Sequence, residues 1–379
     1  MNVVHIIVGL NIGGAECMLK RLIESHQGSA EYRHTVISLT DIGKVGRQLR
    51  ALGIDVQALH MRSARDFPRV LWQLVRLIRT SDPELVQTWM YHADLLGGLA
   101  ARIAGNRNVI WGIRTTDVQA AGKRATTIVR LVCACLSRWV PHTIICAADA
   151  SRRAHVAVGY DAARMVVVSN GFDLSRFVAT AEQRATLRAR FGIAASEVVV
   201  GTVGRFHPAK DHQNFVRAAG LLAQQHAHVR FLMVGRGLDA NNTELARGIA
   251  QTGHADRFVL LAERADVPVC LAAMDIFCLS SRTEGFPNVV GEAMAMGVPC
   301  VVTDVGDAAM LVADTGIVVP KEDSIGLAHG LADLLALAPD AHRQLGQKAR
   351  ERIHAEFTIE RARERFEEIY QRIAGERGQ

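Results

Sequence analysis

Short apolar runs alternate with turns and amphipathic helical stretches along nearly the whole chain, and this alternation limits the folds open to it. In the first half the runs are Val3–Val8, Thr35–Leu39, Val56–Leu59, Leu85–Thr88, Val109–Ile113, Thr143–Cys146 and Val166–Ser169. In the second half they are Val198–Val203, Arg230–Val234, Phe258–Leu261, Ile276–Leu279, Cys300–Thr303 and Ile317–Val319. Runs of this length bounded by turn signals read as buried strands. Helical stretches such as Phe67–Thr80 and Asn214–Gln225 lie between them. Strand and helix in alternation build parallel sheets with helices on both faces. Two such series predict two doubly wound domains with ligands at the carboxyl ends of the strands, in a cleft that the domains face. The expected boundaries are 1–178 and 179–357. Asn170-Gly171 provides a turn signal near the junction. The last segment, within 358–379, reads as an amphipathic helix with Thr358 as N-cap.

At 379 residues the chain exceeds one ordinary core. Hydrophobic residues make up 49% and charged residues 22%, which places it among globular proteins rather than disordered ones. No apolar run approaches the roughly 18 residues of a membrane-spanning helix. The N-terminal segment reads as a first strand and not as a signal peptide. The seven cysteines form no C-x-x-C pair, so a disulfide framework and a structural zinc are not expected, and a reduced, cytoplasmic protein is. A formal charge of +6 and a pI near 9.1 favour an anionic partner. Nucleic acid is discounted: only 5% of residues are aromatic, and no nucleic-acid module is recognisable.

The densest chemistry lies in Glu284-Gly285-Phe286-Pro287-Asn288-Val-Val-Gly-Glu292. The segment puts two carboxylates across the junction of a strand, a loop and a helix whose first position suits Pro287. Glu284 falls beside free backbone N–H groups, where anions and polar ligands are favoured. Arg205 and Lys210 sit on the loop that follows Val198–Val203, where two cations can hold a diphosphate and stabilise its charge as it leaves. Asn11, Gly13 and Gly14 follow the first strand, and glycines let a backbone approach a ligand closely. A turn that only requires positive φ gives the same sequence. Gly235 and Glu263 follow two further strands, and Asp304 follows a third. His92 follows Leu85–Thr88 as a candidate polar contact. Arg114 suits either an acceptor phosphate or a local salt bridge. No D-x-D sequence or metal-ligand cluster is present, so no metal and no cofactor are expected.

Taken in order, the glycine loop, His92, Asn170-Gly171, Arg205 with Lys210, Gly235, and Glu284 with Glu292 resemble glycosyltransferase family 4, retaining enzymes of the GT-B fold. The resemblance covers nearly the whole chain, and it alone implies that the final helix, within 358–379, packs back on the first domain. It implies transfer of a sugar from a nucleotide-sugar, most plausibly a UDP-sugar, to a glycan or lipid-linked acceptor in surface polysaccharide or oligosaccharide biosynthesis. It assigns Glu284 to the donor sugar, Glu292 to the ribose hydroxyls, and Arg205 and Lys210 to the donor phosphates. Gly13, Gly14, Gly235, Glu263, Gly285, Phe286, Pro287 and Asn288 then line the donor, and Asn11 and Arg114 face the acceptor. His92, Glu284, Arg205 and Lys210 are the catalytic set. Asp307 stands where the family usually has a second glycine. A sugar-nucleotide epimerase and a non-catalytic sugar-nucleotide binder on the same fold are the alternatives. Two basic, apolar stretches, Arg69–Arg79 and Lys123 through Trp139, suggest peripheral contact with an anionic membrane, with Leu71, Leu74, Val75 and Ile78 as the apolar stripe of the first.

Overall fold

A computed structural model describes residues 1–116, 118 and 124–375. Lys123 and the end of the last segment, 376–379, lie outside the described residues. The chain divides into two compact units: Met1–Gly171 with the segment from Ile359 onward, and Phe172–Thr358.

The first unit holds a seven-stranded parallel sheet: β1 (Asn2–Ile7), β2 (Arg33–Ser38), β3 (Asp55–Ala58), β4 (Leu85–Trp89), β5 (Val109–Ile113), β6 (Thr143–Cys146) and β7 (Met165–Val167). The second holds a six-stranded parallel sheet: β8 (Val198–Val203), β9 (Val229–Val234), β10 (Phe258–Leu260), β11 (Ile276–Leu279), β12 (Cys300–Thr303) and β13 (Gly316–Val319). Strand order is β3-β2-β1-β4-β5-β6-β7 in one and β10-β9-β8-β11-β12-β13 in the other. Each order reverses once, between β1 and β4 and between β8 and β11. At such a reversal the flanking connections leave to opposite sides and open a crevice at the strand carboxyl ends.

Central strands such as β4, β5, β6, β11 and β12 are buried along their whole length, which explains their continuous apolar runs. Helices cover both faces. In the first unit, Val70, Leu74, Val75 and Ile78 of helix Phe67–Ser81 join one core beneath the sheet. The stripe expected to meet a membrane therefore faces the core instead, because three of its four residues are the ones the sheet needs to cover its own apolar face. The opposite core includes Ile359, Ala362, Phe366, Ile369, Tyr370 and Ile373 of the last helix, Ile359–Gly375. Asn170-Gly171 also differs from the expected tight turn. Both residues are buried, Gly171 has no positive φ, and its carbonyl accepts from Arg21.

Three buried histidines tie the last helix to this sheet. Trp89 Nε1–H donates to His5 Nδ1 at 3.3 Å. His5 Nε2 lies 3.0 Å from His34 Nδ1, His34 Nε2 lies 3.0 Å from His26 Nδ1, and His26 Nε2 lies 3.0 Å from Glu367 Oε1. An indole can only donate and a carboxylate only accept, so all three imidazoles are neutral with the proton on Nε2. Burial, and the neighbouring histidines, hold His5 well below its ordinary value of 6.5. His34 is pushed down to about 3 by burial, by His26 and by the N-terminal amine. Burial also lowers His26, with Glu367 opposing the shift.

A folded-state value below the unfolded one means that stability is complete above about pH 6.5 and falls as the unfolded chain alone takes up protons. The melting temperature should therefore drop on acidification from pH 6.5 toward 4. His34→Gln should flatten the slope by up to about 1.4 kcal/mol per pH unit. Identical pH profiles in melting experiments on the two proteins would show that His34 does not carry this load.

Candidate functional site

The loops that leave β8 and β11 at the second unit's strand reversal are stitched together. Arg282 N–H donates to the Ala209 carbonyl at 2.8 Å, and Ser280 Oγ donates to the Lys210 carbonyl at 3.0 Å. Arg282 Nε reaches Asp211 Oδ2 at 2.7 Å. These contacts bring Lys210 Nζ to 2.6 Å from Glu284 Oε1. Ser281 Oγ donates to the same oxygen, also at 2.6 Å. The Glu284 side chain is 12% exposed and that of Lys210 is 26% exposed, so this ion pair lies within the crevice wall and not on open surface. Arg205 stands on the same loop and is exposed.

Helix Asn288–Ala295 begins one residue later than expected, with Pro287 as its N-cap. Val290, Ala293 and Met294 are fully buried, while Glu292 is half-buried on the other side. Gly291 has to be glycine: a Cβ there would sit 2.1 Å from the Phe172 ring.

The loop after β12 supports Glu284 from behind. Asp307 N–H donates to the Gly285 carbonyl at 2.9 Å, and Asp307 is a helix N-cap with φ −99°. Its φ needs no glycine, which explains why the departure from the family pattern is harmless to the backbone. Gly306 carries the constraint, with φ +59° and space for a Cβ only 2.3 Å from the Gly285 oxygen. Gly235 has φ +151° and lies against the Gly204 carbonyl, which a Cβ would meet at 2.0 Å. Gly235 N–H in turn donates to the Ala262 carbonyl at 2.6 Å. Thus the loops after β8, β9 and β10 close on one another. Glu263 lies at their outer edge, in a two-bond ion pair with Arg236 at 3.0 Å.

In the first unit the reversal lies between β1 and β4, and one pocket is lined there by Gly9, Asn11, Glu16, Met90, His92 and Thr115. Gly13 is the N-cap of helix Gly14–Ser25, with φ −162°. That is extended backbone, so positive φ is not the reason for this glycine. A Cβ there would lie 2.4 Å from Glu16 Oε2 instead. Gly14 is exposed, and Asn11 lies at the pocket rim, 3.4 Å from Asp41. Burial raises the Glu16 carboxyl above its ordinary value. Met90, before His92, has φ +75°, a strained conformation for a side chain of this size. Asp94, in the first helical turn, accepts from Thr88 Oγ1 at 2.5 Å and from Gly112 N–H at 3.2 Å, and burial pushes it up to about 7.

Arg114 lies over the Trp89 ring at 4.7 Å and donates to Asn170 Oδ1 at 3.0 Å. Burial lowers it to about 10. The sequence pattern does not single out Ser281, Asp211 or Arg282, nor the positive φ of Met90 and Ala262. Ser280-Ser281 before Glu284 was the one available signal, since small hydroxyls beside a carboxylate provide donors. Among the described residues no group of histidine, cysteine and carboxylate side chains has metal-binding geometry.

Two parallel α/β units, each with polar side chains gathered at its strand reversal, define a class of ligand-binding enzyme scaffold. Two family models match in tandem: "Glycosyltransferase Family 4" over residues 12–176 and "Glycosyl transferases group 1" over 197–337. The chain belongs to the family 4 type of glycosyltransferase, with the sheet pair of the GT-B fold. It is similar to N-acetyl-alpha-D-glucosaminyl L-malate synthase of Bacillus anthracis, 30% identical over 48% of each chain. It is also 25% identical to UDP-Gal:alpha-D-GlcNAc-diphosphoundecaprenol alpha-1,3-galactosyltransferase of Escherichia coli, over 64% of this chain and 63% of that one. The matches thus span about half to two thirds of these relatives. The fold is that of Anabaena Alr3699/HepE, solved in complex with UDP, with a TM-score of 0.85 and 22% identity over 97% of this chain and 99% of that one.

Pinning of the Glu284 loop by Gly306 is testable by comparison with Gly253, which has φ +76° and open space around it. Gly253→Ala should cost on the order of 1 kcal/mol, for φ alone. Gly306→Ala should cost more and should speed amide exchange at Gly285 and Phe286. Equal losses in thermal melting would mean that the loop is not held there.

Proposed function

We propose that this protein transfers a sugar from a UDP-sugar to a glycan or lipid-linked acceptor, with retention at the anomeric carbon, in surface polysaccharide or oligosaccharide assembly. The observation that carries this reading is the convergence of Lys210, Ser281 and Glu284 at the β8–β11 reversal. The tandem family matches, the Anabaena neighbour solved with UDP and with UDP-glucose, and the lipid-linked acceptor in the name of the Escherichia coli relative support it.

In this reading Lys210 and Arg205 take the donor diphosphate, and the helix N-terminus at Gly285–Asn288 adds backbone N–H groups. Glu284 accepts from hydroxyls of the donor sugar, Glu292 from those of the ribose, and Gly235 lets the nucleotide lie against backbone, with Glu263 on the side of the base. As the bond from the anomeric carbon to the phosphate oxygen breaks, negative charge grows on the leaving diphosphate. Lys210 and Arg205 stabilise that charge more in the transition state than in the bound donor, which is the condition for catalysis. The acceptor hydroxyl attacks from the face the diphosphate leaves, and its proton passes to the departing phosphate oxygen. His92, Asn11, Gly13, Gly14 and Arg114 belong to the acceptor side and the edge of the donor sugar. No helix among the described residues is long and apolar enough to cross a membrane. We assign the enzyme to the cytoplasmic side, in peripheral contact with an anionic membrane.

UDP affinity by calorimetry and UDP release across a panel of donors test these roles. Glu284→Gln should lower turnover and, by releasing Lys210, tighten UDP binding rather than weaken it, and Glu292→Ala should weaken UDP binding. The double variant Arg205→Ala/Lys210→Ala should lose on the order of 1.5–3 kcal/mol in UDP binding per contact and bind uridine like the wild type. A double variant that binds UDP normally, or absence of UDP release with every donor, would overturn the assignment.

A further inference from the structure

The corner between β4 and helix Tyr91–Ala104 carries His92 to the pocket at the first unit's strand reversal. Met90 makes the corner with φ +75°, in a region that a long side chain rarely enters. Such a conformation lasts only where the contacts around it leave the chain no alternative.

Those contacts converge on one side chain. Met90 N–H donates to the Gly112 carbonyl at 2.9 Å, and the Met90 carbonyl accepts from Asp94 N–H at 2.9 Å. Asp94 Oδ1 accepts from Thr88 Oγ1 at 2.5 Å and from Gly112 N–H at 3.2 Å. Thr88 precedes the corner on β4, Gly112 flanks it on β5, and Asp94 follows it on the helix. One oxygen thus joins the strand before the corner, the strand beside it and the first turn after it. Gly112 has to be glycine for so close an approach, since a Cβ there would lie 2.6 Å from the Thr88 carbonyl oxygen. His92 and Asp94 are two positions apart, about 200° around the helix axis. Anchoring Asp94 in the core therefore turns His92 outward, and His92 is the half-buried residue between buried Tyr91 and buried Ala93.

The carboxyl does this as an uncharged acid. Asp94 is 1% exposed, and its Oδ2 has no hydrogen-bond partner. Cys133, Cys146 and Tyr160 face it, and burial raises all three, so they are neutral too. Among the described residues no cation pairs with it. A carboxylate would be a lone buried charge, whereas the protonated acid keeps an acceptor oxygen and carries none.

We propose that Asp94 is the positioning residue for His92: through Oδ1 it holds the strained corner at Met90 and so sets where the imidazole enters the pocket. This rests on the part given to His92 in the transfer reaction and adds the group behind it.

The test measures turnover as UDP release by the full chain, alongside hydrogen exchange in residues 90–93. Asp94→Ala removes the acceptor and should lower turnover by at least about tenfold, as displacement of a group at the reaction site does. UDP affinity should stay unchanged, since the UDP contacts proposed above lie in Phe172–Thr358. Asp94→Asn keeps an acceptor oxygen without a charge and should restore turnover to within about twofold of wild type. In a His92→Ala background Asp94→Ala should cost less than about twofold more, because residues that act through one another are not additive. A purely structural residue would cost the same in both backgrounds. Exchange in residues 90–93 should quicken in Asp94→Ala and in Thr88→Val, which removes one donor and keeps the shape, and should match wild type in Asp94→Asn. If the alanine variant does not fold, Thr88→Val takes its place in each comparison. Exchange unchanged by loss of these bonds, an asparagine variant as slow as alanine, or equal losses with and without His92 would overturn the proposal. If no donor gives UDP release even with wild type, the transferase reading fails and exchange alone decides: faster exchange upholds Asp94 as the anchor of the corner, and unchanged exchange overturns it.

Discussion

Strand order reverses once in each sheet, and the meeting of Lys210 with Glu284, and of Asn11 with His92, depends on that reversal. Parallel strands deliver all their carboxyl ends to one edge, but only at the reversal do neighbouring strands send their connections to opposite faces. In the second unit the loops after β8 and β11 therefore run beside an open crevice and need not cover it. A backbone bond between Arg282 and Ala209 fixes them against each other, and one between Asp307 and Gly285 ties in the loop after β12. The same constraint in the first unit puts Asn11 and His92, far apart in sequence, beside one pocket. Chemistry at both places rests on topology, and the side chains follow from it.

Rigidity around these loops comes from glycines chosen for lack of a side chain and from residues held in unusual conformations. Gly235 against Gly204, and Gly306 against Gly285, allow backbone-to-backbone approach closer than any Cβ permits. Met90 and Ala262 take positive φ without being glycine, and each is held by a backbone bond: Met90 N–H to the Gly112 carbonyl of β5, and Ala262 N–H to the Leu238 carbonyl. Such strain persists only where surrounding contacts over-determine it. In the first unit the relay from Trp89 through three histidines to Glu367 serves a similar end. It satisfies buried nitrogens that would otherwise be orphaned, and it fixes the face of Trp89 on which Arg114 lies.

Much of this was legible in the sequence, for physical reasons. Buried parallel strands are continuous apolar runs, so Val109–Ile113, Thr143–Cys146, Val198–Val203, Ile276–Leu279 and Cys300–Thr303 have the same limits in sequence and structure. Other strands, inner ones such as β1 and β2 as well as edge ones, differ by a residue or two, since an apolar run does not mark where ladder hydrogen bonds begin and end. Glu284 and Lys210 were found by their place after strands, but Ser281 was not, since a serine in a loop carries no distinctive pattern. The stripe on Phe67–Ser81 was misread as a membrane face because a core-facing helix and an interfacial one share a period. Exposure separates them, and exposure is not written in one helix. The second stretch read the same way, Lys123 through Trp139, does leave Ile128, Leu131 and Trp139 exposed. The histidine relay joins residues from β1, β2, helix Gly14–Ser25 and the last helix, and no local pattern encodes such a set.

Pairing of Lys210 with Glu284 bears directly on how such a site can favour a transition state. A half-buried ammonium and a half-buried carboxylate are each costly alone, and at 2.6 Å each satisfies the other. In the proposed donor site a diphosphate would compete with Glu284 for the ammonium, so part of the attraction would be spent displacing an existing partner. Ground-state affinity is thereby restrained. As the sugar–phosphate bond lengthens, the diphosphate gains negative charge while Glu284 keeps a single unit, and the balance at Lys210 shifts toward the leaving group. In the same proposed arrangement the carboxylate, which accepts from Ser281, would lie beside a sugar ring that is becoming positive. An ion pair that looks like a structural salt bridge thus has the charge arrangement that strengthens as the reaction proceeds, which is where binding energy raises turnover.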